Sequence, residues 1–191
     1  NRTGYIVVGP DGSIYVTTNY EREMQKFSPD GVFLKKWGGY CKTDTNYDNI
    51  PDQPCEGKFY GLSGLAVDAD GNLYTAEKYN DRIQKFDADG NFIKQWGHRG
   101  STAGLFKYVQ GLSVTSDGYL YAADTYNQRV QKFDTDGNFI TAWGTQGSDA
   151  GEFMWPDDVA VSEDGTVYVT DRRNHRLQLF DKDGNFLEIW D

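Results

Sequence analysis

The sequence predicts an all-β fold, a β-propeller of four recognisable four-stranded antiparallel blades. Three regularities point to it. Trp37, Trp96, Trp143 and Trp190 stand 59, 47 and 47 residues apart. Asp-Gly pairs at Asp11-Gly12, Asp70-Gly71, Asp117-Gly118 and Asp164-Gly165 keep the same gaps, as do Asp30-Gly31, Asp89-Gly90, Asp136-Gly137 and Asp183-Gly184. Gln-Lys-Phe occurs at 25–27, 84–86 and 131–133 and returns as Gln178-Leu179-Phe180. Self-similarity at 40 to 50 residues marks a propeller array.

Each unit holds four short apolar or alternating runs. In the second they are Leu65-Ala66-Val67, Leu73-Tyr74-Thr75-Ala76, Ile83-Gln84-Lys85-Phe86 and Phe92-Ile93-Lys94-Gln95-Trp96. They are rich in β-branched and aromatic residues and too short for ordinary helices. Asp-Gly between such runs reads as a tight turn, because Gly accepts positive φ. The runs are strands a to d of a meander. Blade 1 spans about 4–38, an insertion 39–56, blade 2 57–97, blade 3 98–144 and blade 4 145–191. One blade cannot bury its own faces. The ring series at Tyr15, Tyr74, Tyr121 and Tyr168, at Phe27, Phe86, Phe133 and Phe180, and at the four Trp is therefore expected between blades.

The order Asp-Gly-x-x-Tyr, Asp-x-x-Asn-x-Arg, Gln-x-Phe and Trp-Gly resembles the NHL-repeat β-propellers. Blade 3 shows it best: Asp117-Gly118-Tyr119-Leu120-Tyr121, Asp124-Thr125-Tyr126-Asn127-Gln128-Arg129 and Gln131-Lys132-Phe133. The resemblance covers all four repeats. That family includes a peptide-amidating lyase, extracellular sensor domains and RNA-binding domains, so it implies fold more than function. Its propellers usually close with six blades, which would need about 280 residues, and four-bladed rings also exist. No strand beyond four complete units is visible here, so an incomplete or partner-closed propeller is expected, covered by further blades, another copy or a different subunit. Tyr5, Ile6, Met24 and Phe27 on one side, and Leu177, Leu179 and Ile189 on the other, would supply the apolar surface. The first residue is Asn1, which fits a processed chain or a piece of a longer one.

Charge narrows the partners. The chain has 19 Lys+Arg against 29 Asp+Glu, a net charge of −10. That disfavours nucleic acid and anionic membrane surfaces. No run approaches the ~18 apolar residues of a membrane span, so no membrane insertion is expected.

In an up-and-down blade the a–b and c–d turns share one end, here all tight Asp-Gly turns. The b–c and d–a connections share the other, and they are long and variable. That face is the functional candidate. A residue present in every blade reads as scaffold; one that breaks the repeat needs another reason. Asp124 with Arg129 recurs as Asp171 with Arg176 and Glu77 with Arg82, which reads as a structural ion pair. Blade 1 has Thr18 and Glu23 instead. Repeat-breakers include Tyr40, Tyr47, Tyr60, Lys107, Tyr108, Met154, Trp155, Arg172 and Arg173. The candidate binding residues are Tyr40, Tyr47, Tyr60, Tyr108, Trp155, Arg172, Arg173 and His175; aromatics with Arg are common interface anchors. The alternative for Tyr108 and Trp155 is that they plug gaps between blades.

Metal chemistry has thin support. Asp87-Ala88-Asp89-Gly90-Asn91 and its two copies suggest calcium but lack the further ligands of a calcium loop; turn chemistry explains them. His98 and His175 cannot supply a three-His zinc site, so the resemblance to the amidating lyase fails at its ligands. A mixed site with Asp157 or Asp158 is the remaining zinc option. No cofactor and no catalytic residue is assigned. Cys41 and Cys55, both in the insertion, are expected to form a disulfide, worth about 3 kcal/mol for a ~15-residue loop. That places the chain in an extracellular or periplasmic compartment. The functional expectation is a non-enzymatic protein-binding or assembly module using the b–c/d–a face; the alternative is a metal-dependent lyase or hydrolase with its site in the central funnel.

Overall fold

The computed structural model describes residues 3–18, 22–43 and 55–191. Four four-stranded antiparallel sheets make up the described fold. Blade 1 is β1 (Thr3–Val8), β2 (Ile14–Thr18), β3 (Glu23–Phe27) and β4 (Phe33–Gly38). Blade 2 is β5 (Leu62–Val67), β6 (Leu73–Glu77), β7 (Arg82–Phe86) and β8 (Phe92–Trp96). Blade 3 is β9 (Val109–Val114), β10 (Tyr119–Asp124), β11 (Arg129–Asp134) and β12 (Phe139–Trp143). Blade 4 is β13 (Pro156–Val161), β14 (Val167–Asp171), β15 (Arg176–Phe180) and β16 (Phe186–Trp190). Among the described residues, helix is confined to single 3-10 turns at Thr125–Asn127 and Arg172–Asn174.

The Asp-Gly pairs do what their chemistry requires. Asp87 Oδ1 accepts the backbone N–H of Asp89 and of Asn91, while Asn91 Nδ2 donates to Asp87 Oδ2. Asp134 with Asn138 and Asp181 with Asn185 repeat this pattern. Hydrogen bonds from the Asn185 side chain and backbone hold the Asp181 carboxyl below the usual range. The carboxylates are thus occupied as turn acceptors.

The blades stack through their inner strands in the order β1, β5, β9, β13. Between blades, the closing Trp of blades 1 to 3 lies over the glycine of the next blade's c–d turn. A Cβ on Gly90 would sit 2.6 Å from the Trp37 ring, on Gly137 2.7 Å from Trp96, and on Gly184 2.6 Å from Trp143. Beneath them lie Tyr74, Tyr121, Phe86, Phe133 and Phe180, all essentially buried.

The series breaks at both outer faces. Gly31, the blade 1 counterpart of Gly90, has nothing within 4 Å of a built Cβ. Trp190, the blade 4 counterpart of Trp37, is 47% exposed. Ile6, Val8 and Leu34 of blade 1 and Leu187 of blade 4 are also exposed. One residue expected on these outer faces is not there: strand alternation turns Met24 inward, where it packs with Phe59 and Leu62 of blade 2. Leu179 lies on the outer face of blade 4, on the side of Leu177 and Trp190, and is buried there.

Candidate functional site

The b–c/d–a face is built by one hydrogen-bonded hub per blade. In blade 3, Asp124 is fully buried at the end of β10. Its carboxylate accepts Arg129 Nε at 2.8 Å, Asn127 Nδ2 at 2.9 Å, Gln131 Nε2 at 3.0 Å and the Lys107 backbone N–H at 2.8 Å. Arg129 and Gln131 then donate to the Leu105 carbonyl, and Gln131 Oε1 accepts from Gly104. Asp171 with Asn174, Arg176 and Gln178 repeats the hub in blade 4; Glu77 with Asn80, Arg82 and Gln84 repeats it in blade 2. Burial pushes the Glu77 and Asp124 carboxyls up, against the pull of their Arg partners and other donors. Blade 1 makes do with less: Thr18 Oγ1 bonds the Glu23 backbone, and Glu23 turns out to Lys36 at 3.0 Å. The repeat had marked Asp and Arg as a pair; it left unassigned the Asn and Gln that complete the hub.

The disulfide forms as expected, joining Cys41 and Cys55 with Cα atoms 5.7 Å apart. The blade 2 hub grips both ends of that insertion. Asn80 Nδ2 donates to the Cys41 carbonyl, and Arg82 donates to the Cys55 carbonyl at 3.1 Å. Tyr47 lies outside the described residues.

A second link joins neighbouring blades. The b–c loops carry a left-handed residue at Arg22, Asp81, Gln128 and His175. Asp81 Oδ1 accepts the Tyr108 backbone N–H at 2.5 Å, and Gln128 Oε1 accepts the Trp155 N–H at 2.6 Å. Tyr108 and Trp155 are themselves left-handed, with φ of 63° and 60°, unusual for bulky residues. Gly61 holds the equivalent place in blade 2, where a Cβ would strike the Tyr79 ring. Burial raises the Asp81 carboxyl to about 6.

On this frame the aromatic side chains form a continuous arc across the loop face. Tyr40 meets Tyr60 with ring centroids 5.2 Å apart, Tyr60 meets Tyr79 at 4.8 Å, and Tyr79 meets Tyr108 at 5.6 Å. Tyr108 stacks on Tyr126 at 4.5 Å, and Tyr126 meets Trp155 at 5.5 Å. Arg22 lies 4.6 Å over Tyr40 at one end, and Arg173 lies 3.9 Å over Trp155 at the other. Lys78 covers Tyr79 at 5.2 Å midway. Tyr40, Tyr79 and Tyr126 are 55%, 47% and 41% exposed.

Five of the sequence-selected residues therefore come together: Tyr40, Tyr60, Tyr108, Trp155 and Arg173. Arg172 stands beside them, 3.8 Å from Asp157. His175 is drawn into the b–c backbone as the left-handed residue, its N–H on the Arg172 carbonyl. Tyr79, Tyr126, Arg22 and Lys78 were missed. Tyr79 and Tyr126 occupy the same place in blades 2 and 3, so they read as scaffold. Arg173 in blade 4 at that place was the signal that the position is free to vary.

The funnel contrasts with this rim. Gly64 and Gly111 on β5 and β9 make room for the next blade: a Cβ on Gly111 would strike Asp158. At the matching place blade 1 has Tyr5 and blade 4 has Asp158. Burial raises the Asp158 carboxyl, and burial with the charges of Asp158 and Asp157 raises the Tyr5 hydroxyl. Asp157 accepts from Gln110 Nε2. Among the described residues no three His, Cys, Asp or Glu side chains are grouped to hold a metal ion.

Comparison with known proteins agrees with this architecture. The NHL repeat family model matches residues 59–86, 106–133 and 153–180, which begin at Phe59, Phe106 and Phe153 and end at Phe86, Phe133 and Phe180. The chain is an NHL-repeat β-propeller. Peptidyl-glycine alpha-amidating monooxygenases A and B of Xenopus laevis are 35% and 34% identical to it over 91 residues. That stretch is 46% of this chain but 9% and 10% of those proteins. Among solved structures, a streptogramin B lyase superposes with a TM-score of 0.70 at 17% identity, covering 99% of this chain and 54% of that one. The WD40 repeats of RRP9 superpose at 0.71 with 16% identity, covering 97% and 50%. At such identities the likeness is one of fold. The NHL-repeat chain spans about half the length of these propellers.

Proposed function

We propose that this NHL-repeat chain is a non-enzymatic protein-binding module that presents its b–c/d–a face to a partner outside the cytoplasm. The observation that carries the reading is the unbroken arc from Arg22 and Tyr40 to Trp155 and Arg173. Contiguous, partly exposed Tyr and Trp with Arg are the residues that dominate binding hot spots. Tyr and Trp also give large contact area at small conformational cost. The Cys41–Cys55 disulfide and the likeness to amidating monooxygenases support an extracellular or periplasmic setting. Selection of display-library peptides on the immobilised chain tests this. Selected binders should lose at least tenfold in affinity for Tyr126→Ala and Trp155→Ala. Binders indifferent to both substitutions would remove the arc from the binding surface. Stoichiometric zinc or calcium retained by the purified protein would favour the alternative, a metal-dependent lyase or hydrolase acting in the funnel.

A second reading, assembly, is favoured by uncovered Gly31 and exposed Trp190. They are the two halves of a contact that the interior blades make three times, so each outer face suits a further blade or another copy. Light scattering that gives a strict monomer, with Trp190 fluorescence fully exposed at all concentrations, would set this reading aside.

A further inference from the structure

We infer that the aromatic face takes an acidic, extended peptide segment, its carboxylates on Lys78, Arg99, Lys107 and Arg173 and its apolar side chains on the rings between them. This rests on the binding reading above and adds the partner's chemistry. The argument starts from how the cations are used. At the turn end, Lys26 donates to the Ala88 carbonyl, Lys85 to Thr135, Lys94 to Asp136 and Lys132 to Lys182. Those lysines are fastened into the blade interfaces. Arg82, Arg129 and Arg176 are likewise consumed by the hubs.

Lys78, Arg99, Lys107 and Arg173 differ. Among the described residues, none of them lies within ion-pair distance of a carboxylate. Arg99 and Lys107 feel the buried Asp81 carboxylate only from beyond ion-pair distance. In a chain with ten more acids than bases, four cations without a paired carboxylate are open to one from a ligand. Two of them sit on the arc itself: Lys78 on Tyr79 and Tyr108, Arg173 on Trp155. The other two flank a shallow cleft of about 370 Å³ lined by Arg99, Gly100, Ser101, Lys107 and Asn127, without a carboxylate. The Lys107 carbonyl accepts the Tyr126 N–H, so this cleft abuts the stacked Tyr108–Tyr126 pair.

Cation and ring therefore alternate along the face, which complements a ligand in which carboxylate and apolar group alternate. Aromatic-lined surfaces accept extended, proline-bearing segments with little ordering cost. A polyanion of high charge density fits less well. It offers the rings between the cations no apolar groups, and a net charge of −10 disfavours its approach.

The test uses three fluorescent twelve-residue peptides built from Glu-Pro-Tyr, Gln-Pro-Tyr or Lys-Pro-Tyr repeats, titrated with the chain at 50 and 200 mM salt. The acidic peptide should bind at least tenfold more tightly than the neutral one, and the basic one weakest. Its affinity should fall as salt rises. Lys107→Ala and Arg173→Ala should each weaken it roughly threefold to tenfold and flatten the salt dependence. Lys94→Ala, at the turn end, should change nothing. Equal binding of acidic and neutral peptides, both lost in Tyr126→Ala, would overturn the acidic preference and leave the binding reading standing. Binding of none of the three peptides overturns the acidic-peptide inference. The display selection then decides the binding reading by itself. A sulfated oligosaccharide or single-stranded oligonucleotide that binds at the arc and is not displaced by the acidic peptide would also overturn it.

Discussion

The two ends of the propeller are made from the same repeats and use them in opposite ways. At the Asp-Gly end, Asp87, Asp134 and Asp181 make the same turn three times, and the nearby lysines are tied to carbonyls of the next blade. Little there distinguishes one blade from another. At the loop end, the hubs repeat but the residues they display do not: Tyr60, Lys107 and Met154 occupy one position, and Gly61, Tyr108 and Trp155 the next. Repetition holds the fold; departure from it makes a surface.

The sharpest way to break that contrast is to remove a hub. Asp124→Ala takes away the acceptor of four donors. It strands Arg129 Nε and the Lys107 N–H, while Arg129, Asn127 and Gln131 are left donating only to backbone carbonyls. Losing one partner of a buried ion pair costs about 3–5 kcal/mol. Urea unfolding should show a loss of that size, and a loss below ~1 kcal/mol would mean the hub is ornamental. At the turn end, two glycines in like conformation differ in what covers them. Gly137 has φ of +79° and the Trp96 ring above it; Gly31 has φ of +81° and nothing within 4 Å. Gly137→Ala should cost ~2–4 kcal/mol, combining backbone strain with displacement of the ring. Gly31→Ala should cost only the strain, ~1–2 kcal/mol. Equal losses would show that Gly31 is covered in solution.

The smallest effect sharpens the loop end. Asp81 is raised from 3.8 to about 6 by burial. The folded state therefore holds its proton more tightly than the unfolded state, and this site contributes a stability that falls as pH rises from about 4 to 6. Asp81→Asn keeps an oxygen to accept the Tyr108 N–H, as Gln128 does for Trp155. It should remove that slope and stabilise the protein by ~1–2 kcal/mol at pH 7.5. Unchanged pH dependence in thermal unfolding would count against a strained carboxylate there.

The fold was legible because its determinants are local and repeated. Asp-Gly turns, alternating strands and one Trp per blade each leave a mark at fixed spacing. The arc was legible in part. Tyr40, Tyr60, Tyr108, Trp155 and Arg173 break the repeat and were found that way. Tyr79 and Tyr126 recur, and nothing in a list of repeats separates a ring that packs from one that is displayed. The difference lies in tertiary geometry: Tyr74 and Tyr121 point from strand b between blades, while Tyr79 and Tyr126 stand five residues further on in loops that face solvent. Met24 was misplaced for a related reason. Its apolar character was plain, but strand parity decides which face it joins, and that requires the register.

The hubs also explain how such a face can change over generations. Tyr60, Lys107, Met154, Tyr108 and Trp155 are all held through their backbone N–H groups, each donated to a carboxylate or amide oxygen at the end of a strand b or in a b–c loop. The scaffold reads their main chain and ignores their side chains. Those positions are therefore rewritable: selection or a designer can exchange what the face displays, blade by blade, while the bonds that fix its shape stay the same.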